Sequence, residues 1–294
     1  MGRCYAGVEL GGTKTVVVLG ARGTITERVQ LPTTLPDETL GRATEVIMRW
    51  QERGEIAALG VASFGPIRVD RAAPDFGTML ETPKPGWSGA PVAATMNGAL
   101  GLPLALDTDV NAAALAEAAF GAARGCSSMI YLTIGTGLGG GVVIDGRTVR
   151  GVLHPELGHV RLRRQAGDSF AGACPFHGDC AEGLLSGPAL AARIGRNPAE
   201  LPATDPVWQT VAQDLAELLT MLVLTLSPQR IVVGGGVANG QPHLLSAAVS
   251  RIPALLGGYL VDMTEERLSE IIVPPMLGDD AGPTGALLLA AAVK

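Results

Sequence analysis

Two cysteines and two histidines in the middle of the chain have the types and spacing of a zinc site. Cys174-Pro-Phe-His177-Gly-Asp-Cys180 places a thiolate, an imidazole and a second thiolate three residues apart, and His159 lies upstream as a fourth ligand. Thiolates and imidazoles are ligands that Zn²⁺ prefers, and four of them complete its tetrahedral shell. Because no position remains for water or substrate, the set predicts a structural zinc in the segment 154–182.

The same segment carries two acids, Glu156 and Glu182, on either side of the predicted ligands. A metal-bound imidazole usually offers its second nitrogen to a polar partner. His159 is therefore a candidate to bind the metal and a second, polar group at once.

Asp107-Thr108-Asp109 follows a predicted strand, 103–106, and opens an alanine-rich helix predicted over 110–119. Aspartates at such a junction often only cap the helix. A carboxylate held there can also take a proton from a substrate hydroxyl, provided that it is oriented and partly desolvated. The pattern alone leaves both interpretations open.

Two glycine-rich turns, at residues 11–14 (Gly-Gly-Thr-Lys) and 135–141 (GTGLGGG), each join two predicted strands. Glycine lets backbone N–H groups approach a phosphate closely, although glycine pairs also make ordinary hairpins. A Walker loop or a dinucleotide fingerprint would need a helix after the turn, and here a strand follows. The recurrence suggests an internally duplicated fold with a phosphate-compatible turn in each half.

The elements around these residues alternate between strands and helices, which is typical of an α/β protein. A predicted strand over 56–63 ends in the tight turn Ser63-Phe64-Gly65-Pro66-Ile67, at the end where open α/β sheets place ligands. Helices are predicted over 36–53, over 207–226, up to residue 256 and over 281–293, and short extended segments over 28–31 and 271–274. Polar residues on one side of 207–226 indicate a core helix.

Length and composition favour a two-domain enzyme. The 294 residues exceed one typical core, and 47% hydrophobic and 17% charged residues with 40 glycines suit a loop-rich α/β protein. A net charge of −6 and a single short basic cluster, Arg161, Arg163 and Arg164, argue against a nucleic-acid partner.

No apolar run approaches the roughly 20 residues of a membrane span, and no signal-peptide pattern precedes the first strand. Two of the four cysteines belong to the predicted metal set, and the others are isolated, as expected in a reducing compartment. We therefore expect a cytoplasmic protein without a membrane partner.

Taken in order, the motifs resemble those of the ROK family of sugar kinases and regulators, and within it the fructokinase branch. They are ELGGTK, SFGPI, TPKPGW, DTDVNAAALAE, TIGTGLGGG, HPELGH, CPFHGDCAEGLLSGPA and VVGGGV. The resemblance covers essentially the whole chain. It implies the actin-like, ribonuclease H-like sugar-kinase fold, with two domains, an interdomain cleft that holds ATP, and a structural zinc loop. We place the small domain at 1–107, completed by a helix at 281–294, and the large domain at 108–280.

The resemblance also implies roles for individual residues. Asp109 matches the catalytic base. Five residues are expected to bind the sugar: Gly65, Thr108, Glu156, His159 and Glu182. Ten are expected to bind ATP: Gly11, Gly12, Thr13, Lys14, Gly135, Thr136, Gly137, Pro188, Gly235 and Gly236. His159 would serve both the sugar and the zinc.

The implied activity is ATP- and Mg²⁺-dependent phosphorylation of a hexose, D-fructose to fructose 6-phosphate, by a homodimer. Thr108, His177 and Glu9 stand where many ROK glucokinases have Asn, Cys and Asp, which favours the fructokinase branch. Another hexose, such as mannose or glucose, is an alternative, since related sugars differ by one hydroxyl. A sugar-sensing regulator is a further alternative, for which a helix-turn-helix would be expected before the first strand.

Overall fold

Runs of β-branched and apolar residues form the strands of this computed structural model, which describes residues 3–293. Within that range the strands are β1 (Tyr5–Leu10), β2 (Lys14–Ala21), β3 (Thr24–Pro32), β4 (Leu59–Ser63), β5 (Leu104–Thr108), β6 (Ser128–Ile134), β7 (Leu138–Ile144), β8 (Arg147–Thr148), β9 (Arg230–Gly234) and β10 (Ile272–Val273). In β2, Val17 packs into one buried cluster while Val16 and Val18 pack into another. Successive strand residues therefore serve opposite faces of the sheet.

Helices form much of the remaining chain, and some of them begin or end at capping residues. Within residues 3–293 they are α1 (Pro36–Gln51), α2 (Val92–Leu100), α3 (Asp109–Phe120), α4 (Ala181–Leu185), α5 (Gly187–Ile194), α6 (Val207–Leu226), α7 (Gly236–Gly240), α8 (Pro242–Val249), α9 (Ile252–Leu255), α10 (Glu265–Ile271) and α11 (Ala281–Ala291). Thr108 caps α3 by accepting the Asn111 N–H. Gly101 ends α2 with a φ of +64°, a conformation that favours glycine.

By their internal contacts the residues form two compact units. The first comprises the chain up to Gly121, the segment Gly146–Pro155 and the chain from Leu277 onward; the second comprises Ala122–Asp145 and Glu156–Met276. This grouping differs from the predicted division at 107/108, because α3 packs closely on α11.

The first unit contains a five-stranded sheet in the order β3-β2-β1-β4-β5. Antiparallel pairing joins β1, β2 and β3, whereas β1, β4 and β5 are parallel. One face packs on α1 and α2 through side chains that include Ile47 and Met96. The other face packs on α3 and α11 through Ala62, Ala112 and Ala286.

The sheet of the second unit contains β10, β9, β6 and β7 in that order. β6 and β7 are antiparallel, and β6, β9 and β10 are parallel. α6 lies in the core, with buried residues along its length that include Trp208, Leu215 and Leu222. The predicted core helix is therefore confirmed.

Three local predictions were wrong in extent. The extended segment predicted over 28–31 is the nine-residue β3, because its pairing with β2 continues from Thr24 to Pro32. The glycines at 139–141 lie inside β7, where a Cβ on Gly140 would approach Leu157 Cδ1 to 2.7 Å. The helix predicted up to residue 256 is divided into α8 and α9, where Pro253 cannot donate a backbone hydrogen bond.

None of the helices between residues 3 and 293 combines the length and apolar character that a bilayer crossing requires.

Candidate functional site

Three parallel strands of the first unit end side by side. The register pairs Leu10 of β1 with Ser63 of β4, and Ser63 with Thr108 of β5. Consequently the Gly11 turn, the Gly65 turn and Asp109 follow directly at the same edge of the sheet. Carboxyl ends of parallel strands are where α/β sheets usually bind ligands.

The first glycine turn presents backbone N–H groups to its surroundings. Gly11 donates to the Lys14 carbonyl at 3.1 Å, and the Thr33 hydroxyl donates to the Gly11 carbonyl at 2.8 Å. The N–H groups of Gly12 and Thr13 have no acceptor within residues 3–293, and both residues are exposed. Such N–H groups, beside the Lys14 ammonium, suit a phosphate.

Asp107 and Asp109 have different surroundings. Asp107 is fully buried, and its carboxylate accepts hydrogen bonds from the Thr108 N–H, Asn111 Nδ2, Thr148 Oγ1 and Arg150 Nη2 at 2.7–2.9 Å. Asp109 is only half-buried, at the first residue of α3, where Oδ1 accepts the Val110 N–H. With its acceptor capacity taken up, Asp107 suits a structural role, and Asp109 is the better candidate base.

Glu9, near the end of β1, belongs to the same edge. Burial and, to a smaller extent, the nearby negative charge of Asp109 raise the pKa of its carboxyl to about 7, although Lys14 and Arg28 act in the opposite direction. Two carboxylates therefore influence each other's charge at this edge.

The second glycine turn lies between β6 and β7, against the starts of two helices. The N–H of Gly187, the first residue of α5, donates to the Gly135 carbonyl at 2.7 Å. Gly235, with φ +94°, precedes α7 and packs so tightly that a Cβ would lie 2.5 Å from the Ile134 nitrogen. Thr136 and Pro188 are exposed beside this backbone, and Gly236 lies 3.6 Å from the Cβ position of Gly135.

The predicted zinc ligands are brought together in the second unit. Their ligand atoms all lie within 4.8 Å of one another. Cys174 Sγ lies 3.8 Å from His159 Nδ1 and 3.7 Å from His177 Nδ1, and Cys180 Sγ lies 3.6 Å from His159 Nδ1. With bonds of about 2.3 Å to sulfur and about 2.0 Å to nitrogen, a tetrahedral zinc separates such ligands by about 3.6 Å. The residues fit zinc.

The loop around this cluster is fixed by backbone bonds. Cys174 and Gly178 exchange N–H···O=C bonds of 3.1 and 2.9 Å, and Gly178 has a φ of +62°. Burial raises the pKa of the Cys180 thiol to about 11, so a nearby cation would be needed to make it a thiolate at neutral pH.

The second nitrogen of His159 faces an acid. His159 Nε2 lies 4.0 Å from Glu156 Oε2. Burial raises the pKa of Glu156 to about 7, with a smaller contribution from the negative charge of Glu182. Glu182 accepts the Leu138 N–H at 3.0 Å, which ties it to the end of the second glycine turn.

The structure thus groups the predicted residues by unit. Gly11, Gly12, Thr13, Lys14, Gly65, Thr108 and Asp109 lie at one sheet edge of the first unit, and the others lie in the second unit. Thr108 is buried as the α3 cap, yet its hydroxyl hydrogen can still be donated.

Sequence reasoning missed several polar residues that support the first edge. Thr148 and Arg150 bind Asp107, and His154 binds the backbone at Ile67. The only signal for them was that His154 begins the HPELGH motif; Thr148 and Arg150 carry no pattern of their own.

Together, the two mixed sheets and the two glycine turns describe an α/β sugar kinase of a known class: residues 5–293 match the ROK family, and the chain belongs to it. A fructokinase from Zymomonas mobilis is 40% identical over 300 residues, which cover 99% of this chain and 98% of the relative. A ROK hexokinase from Thermus thermophilus has a TM-score of 0.78 at 28% identity, with 98% of both chains covered.

A ROK glucokinase from Streptomyces griseus, solved in complex with glucose and AMPPNP, has a TM-score of 0.72 at 26% identity, with 98% of this chain and 99% of that one covered. The predicted family and the predicted sugar-kinase fold are confirmed by these similarities.

Proposed function

We propose that the protein transfers the γ-phosphoryl group of ATP to a hexose, and that this hexose is D-fructose, giving fructose 6-phosphate. The observation that carries the proposal is that Asp109 follows β5 at the same sheet edge at which the Gly11 turn follows β1. The similarity to a fructokinase over nearly the full length of both chains supports the choice of sugar.

In the proposed reaction Asp109 accepts the proton of the sugar hydroxyl as the hydroxyl oxygen attacks the γ-phosphorus. The bond from phosphorus to the bridging oxygen of ADP breaks, and ADP leaves. Such a transfer needs positioning and charge stabilisation more than covalent help from the protein. Asp109 suits the role because it is half-buried at a helix start, where it can be oriented yet remain accessible.

The phosphates of ATP would be held by backbone N–H groups. The exposed N–H groups of Gly12 and Thr13, with the Lys14 ammonium, provide one set. For the nucleotide we also assign Gly11, Gly135, Thr136, Gly137, Pro188, Gly235 and Gly236, where two helix starts meet the second turn. Mg²⁺ would neutralise charge on the β- and γ-phosphates.

For the sugar we assign Gly65 and Thr108 of the first unit and Glu156, His159 and Glu182 of the second. The contact between Glu156 and His159 Nε2 supports a polar pair that could share one hydroxyl. Zinc bound by His159, Cys174, His177 and Cys180 would cross-link the loop, and the four protein ligands give it no direct part in the chemistry.

The test is an ADP-release assay of the metal-replete protein with fructose, mannose and glucose, and with ATP or GTP. We expect fructose with ATP to give the highest kcat/KM. The Asp109→Asn variant should lose activity about 10²–10⁴-fold, the usual contribution of a general base. Asp75→Asn, which alters an exposed ion pair with Arg68, is the matched control and should retain activity.

Preference for mannose or glucose would replace the sugar in the proposal while leaving the reaction intact. No ADP release with any hexose would refute the kinase. An Asp109→Asn variant that keeps most of the turnover would refute Asp109 as the base.

We further propose that the enzyme is a cytoplasmic homodimer that binds no nucleic acid. The ROK resemblance supports the dimer, and the acidic charge of −6 disfavours a polyanionic partner. Light scattering would measure the mass in solution, and a mass of one chain would refute the dimer.

A further inference from the structure

A buried histidine holds the backbone next to the Gly65 turn. His154 Nε2 lies 3.2 Å from the Ile67 nitrogen, and the two residues are 6% and 0% exposed. A backbone amide can only donate, so Nε2 must be the unprotonated acceptor. The ring hydrogen is then on Nδ1, which lies 3.5 Å from the Pro155 carbonyl.

Among residues 3–293 the Ile67 N–H has no acceptor other than His154. The surrounding backbone groups of the turn are paired: Phe64 N–H with the Leu10 carbonyl, and Leu80 N–H with the Pro66 carbonyl. Because Ile67 is fully buried, water cannot replace the imidazole as acceptor. Losing the acceptor would leave a buried donor unsatisfied two residues after Gly65.

The segment that carries His154 is itself fixed at a second point. Thr148 Oγ1 and Arg150 Nη2 bind the buried Asp107 at 2.8 and 2.9 Å, immediately before the strand end that leads to Asp109. Segment Gly146–Pro155 is therefore attached next to the Gly65 turn and next to the start of α3. It continues directly into Glu156, a residue that we assign to the sugar.

We propose that His154 is a positioning residue for the hexose: it fixes the Gly65 turn through the Ile67 amide and thereby sets sugar affinity. The inference rests on the proposed function, in which Gly65 contacts the sugar. Burial lowers the pKa of His154, which agrees with a neutral ring that accepts from the amide. His154 touches the backbone and need not touch the substrate.

The test compares two substitutions at His154. Gln can place an acceptor near the position of Nε2, whereas Leu fills similar space without one. We expect His154→Leu to raise KM for fructose at least tenfold, with kcat and KM for ATP within threefold of wild type. His154→Gln should stay within threefold on all three constants.

His243→Leu is the matched control. This imidazole packs edge-on against Trp208, with ring centroids 5.4 Å apart, and lies in the second unit. The KM of the His243→Leu variant for fructose should equal that of wild type. A His154→Leu variant with wild-type KM for fructose would overturn the proposal. A rise in KM for both ATP and fructose together with a fall in Tm, none of it rescued by Gln, would also overturn the proposal. That pattern indicates general damage to the fold.

A second measurement keeps the inference testable if the Leu variant does not fold. His154→Asn keeps a polar side chain that is too short to reach the amide. Hydrogen exchange at Ile67 should be at least tenfold faster in this variant than in wild type, with the Leu80 amide unchanged. Equal exchange at Ile67 would refute the hydrogen bond.

Failure of the proposed function is separable from failure of this inference. If the wild-type protein phosphorylates no hexose, the kinase proposal fails, and calorimetric titration of fructose into wild type and the His154→Leu variant still tests the histidine. If wild type is active and the substitution leaves fructose affinity unchanged, only the inference fails.

Discussion

Three carboxyl groups near one sheet edge differ in burial and in the groups that surround them. Asp107 has four hydrogen-bond donors and no exposure, so it holds the start of α3 in place. Asp109, two residues later, is half-buried at the first residue of α3, and we propose it as the base. Glu9 is desolvated beside the negative charge of Asp109, which disfavours its ionised form. Residue type alone cannot separate these carboxyl groups, because burial, hydrogen-bond donors and neighbouring charge set the properties of each.

At the residue scale, Glu9 should make stability depend on pH. Its pKa is about 7 in the folded protein and about 4.5 when unfolded. The folded state therefore holds the proton more tightly than the unfolded state. Ionisation of Glu9 does not lower the free energy of unfolding below about pH 4.5; the loss grows between about pH 4.5 and 7 and is complete above about pH 7. The shift corresponds to roughly 3 kcal/mol.

Glu9→Gln mimics the protonated group and should remove that cost. We expect the variant to be more stable than wild type by about 2–3 kcal/mol at pH 8 and equal to it near pH 4.5. Urea unfolding at both pH values measures the difference. Glu45→Gln, on the exposed side of α1, is the control and should show no such pH dependence. A Glu9 variant with the same advantage at both pH values would contradict the assignment.

At the scale of elements, the metal loop should be a separable contributor to stability. Four ligands from two short stretches, at residue 159 and over 174–180, converge on one point in a loop with little regular structure. Bound zinc would therefore supply order that the backbone alone lacks. We expect about one zinc per chain, and removal by a chelator should lower Tm by at least about 5 °C, equivalent to roughly 3 kcal/mol for a protein of this size.

Cys180→Ser should reproduce that loss, because it removes a fully buried ligand. Cys126→Ser is the matched control, since this half-buried cysteine lies outside the cluster. Elemental analysis verifies the zinc content and calorimetry gives Tm. Unchanged melting after verified removal of zinc would show that the cluster has no structural role.

The sequence could predict this loop because its information is local. Cys174, His177 and Cys180 lie within seven residues, and their chemistry limits what they can bind. The support for Asp107 could not be predicted in the same way. Arg150 lies 43 residues away in the chain, and only the folded path of Gly146–Pro155 brings the two together.

Errors at the ends of elements have the same cause. The pairing of β3 with β2 extends beyond what its own residues suggest, and the glycines of β7 are strand residues because they pair with β6. In contrast, α1 and α6 agree with their predicted ranges to within two residues, since long amphipathic helices carry their pattern in the sequence. Where the hydrophobic periodicity of the sequence does not define the end of an element, tertiary contacts determine it.

At the scale of the whole molecule, the first unit is built from three separate stretches of chain. Its last helix, α11, packs on β1, β4 and α3 through small residues. A Cβ on Gly60 of β4 would lie 1.8 Å from the Ala286 carbonyl oxygen, so helix and sheet are in backbone contact. The end of the chain is therefore part of the core that supports Asp109.

This arrangement predicts opposite effects for the same substitution at two helical glycines. Gly41 in α1 has nothing within 4 Å of its Cβ position, so Gly41→Ala should stabilise the protein by up to about 1 kcal/mol through helix propensity. A Cβ on Gly285 in α11 would lie 2.0 Å from the Ala112 carbonyl oxygen of α3. Overpacking of about 3 kcal/mol should outweigh the gain in propensity, so Gly285→Ala should lower Tm. Because α3 begins at Asp109, the kcat of the Gly285→Ala variant should fall as well.

Calorimetry and the ADP-release assay on both variants measure these effects. A Gly285→Ala variant as stable as Gly41→Ala would show that α11 does not pack closely on α3.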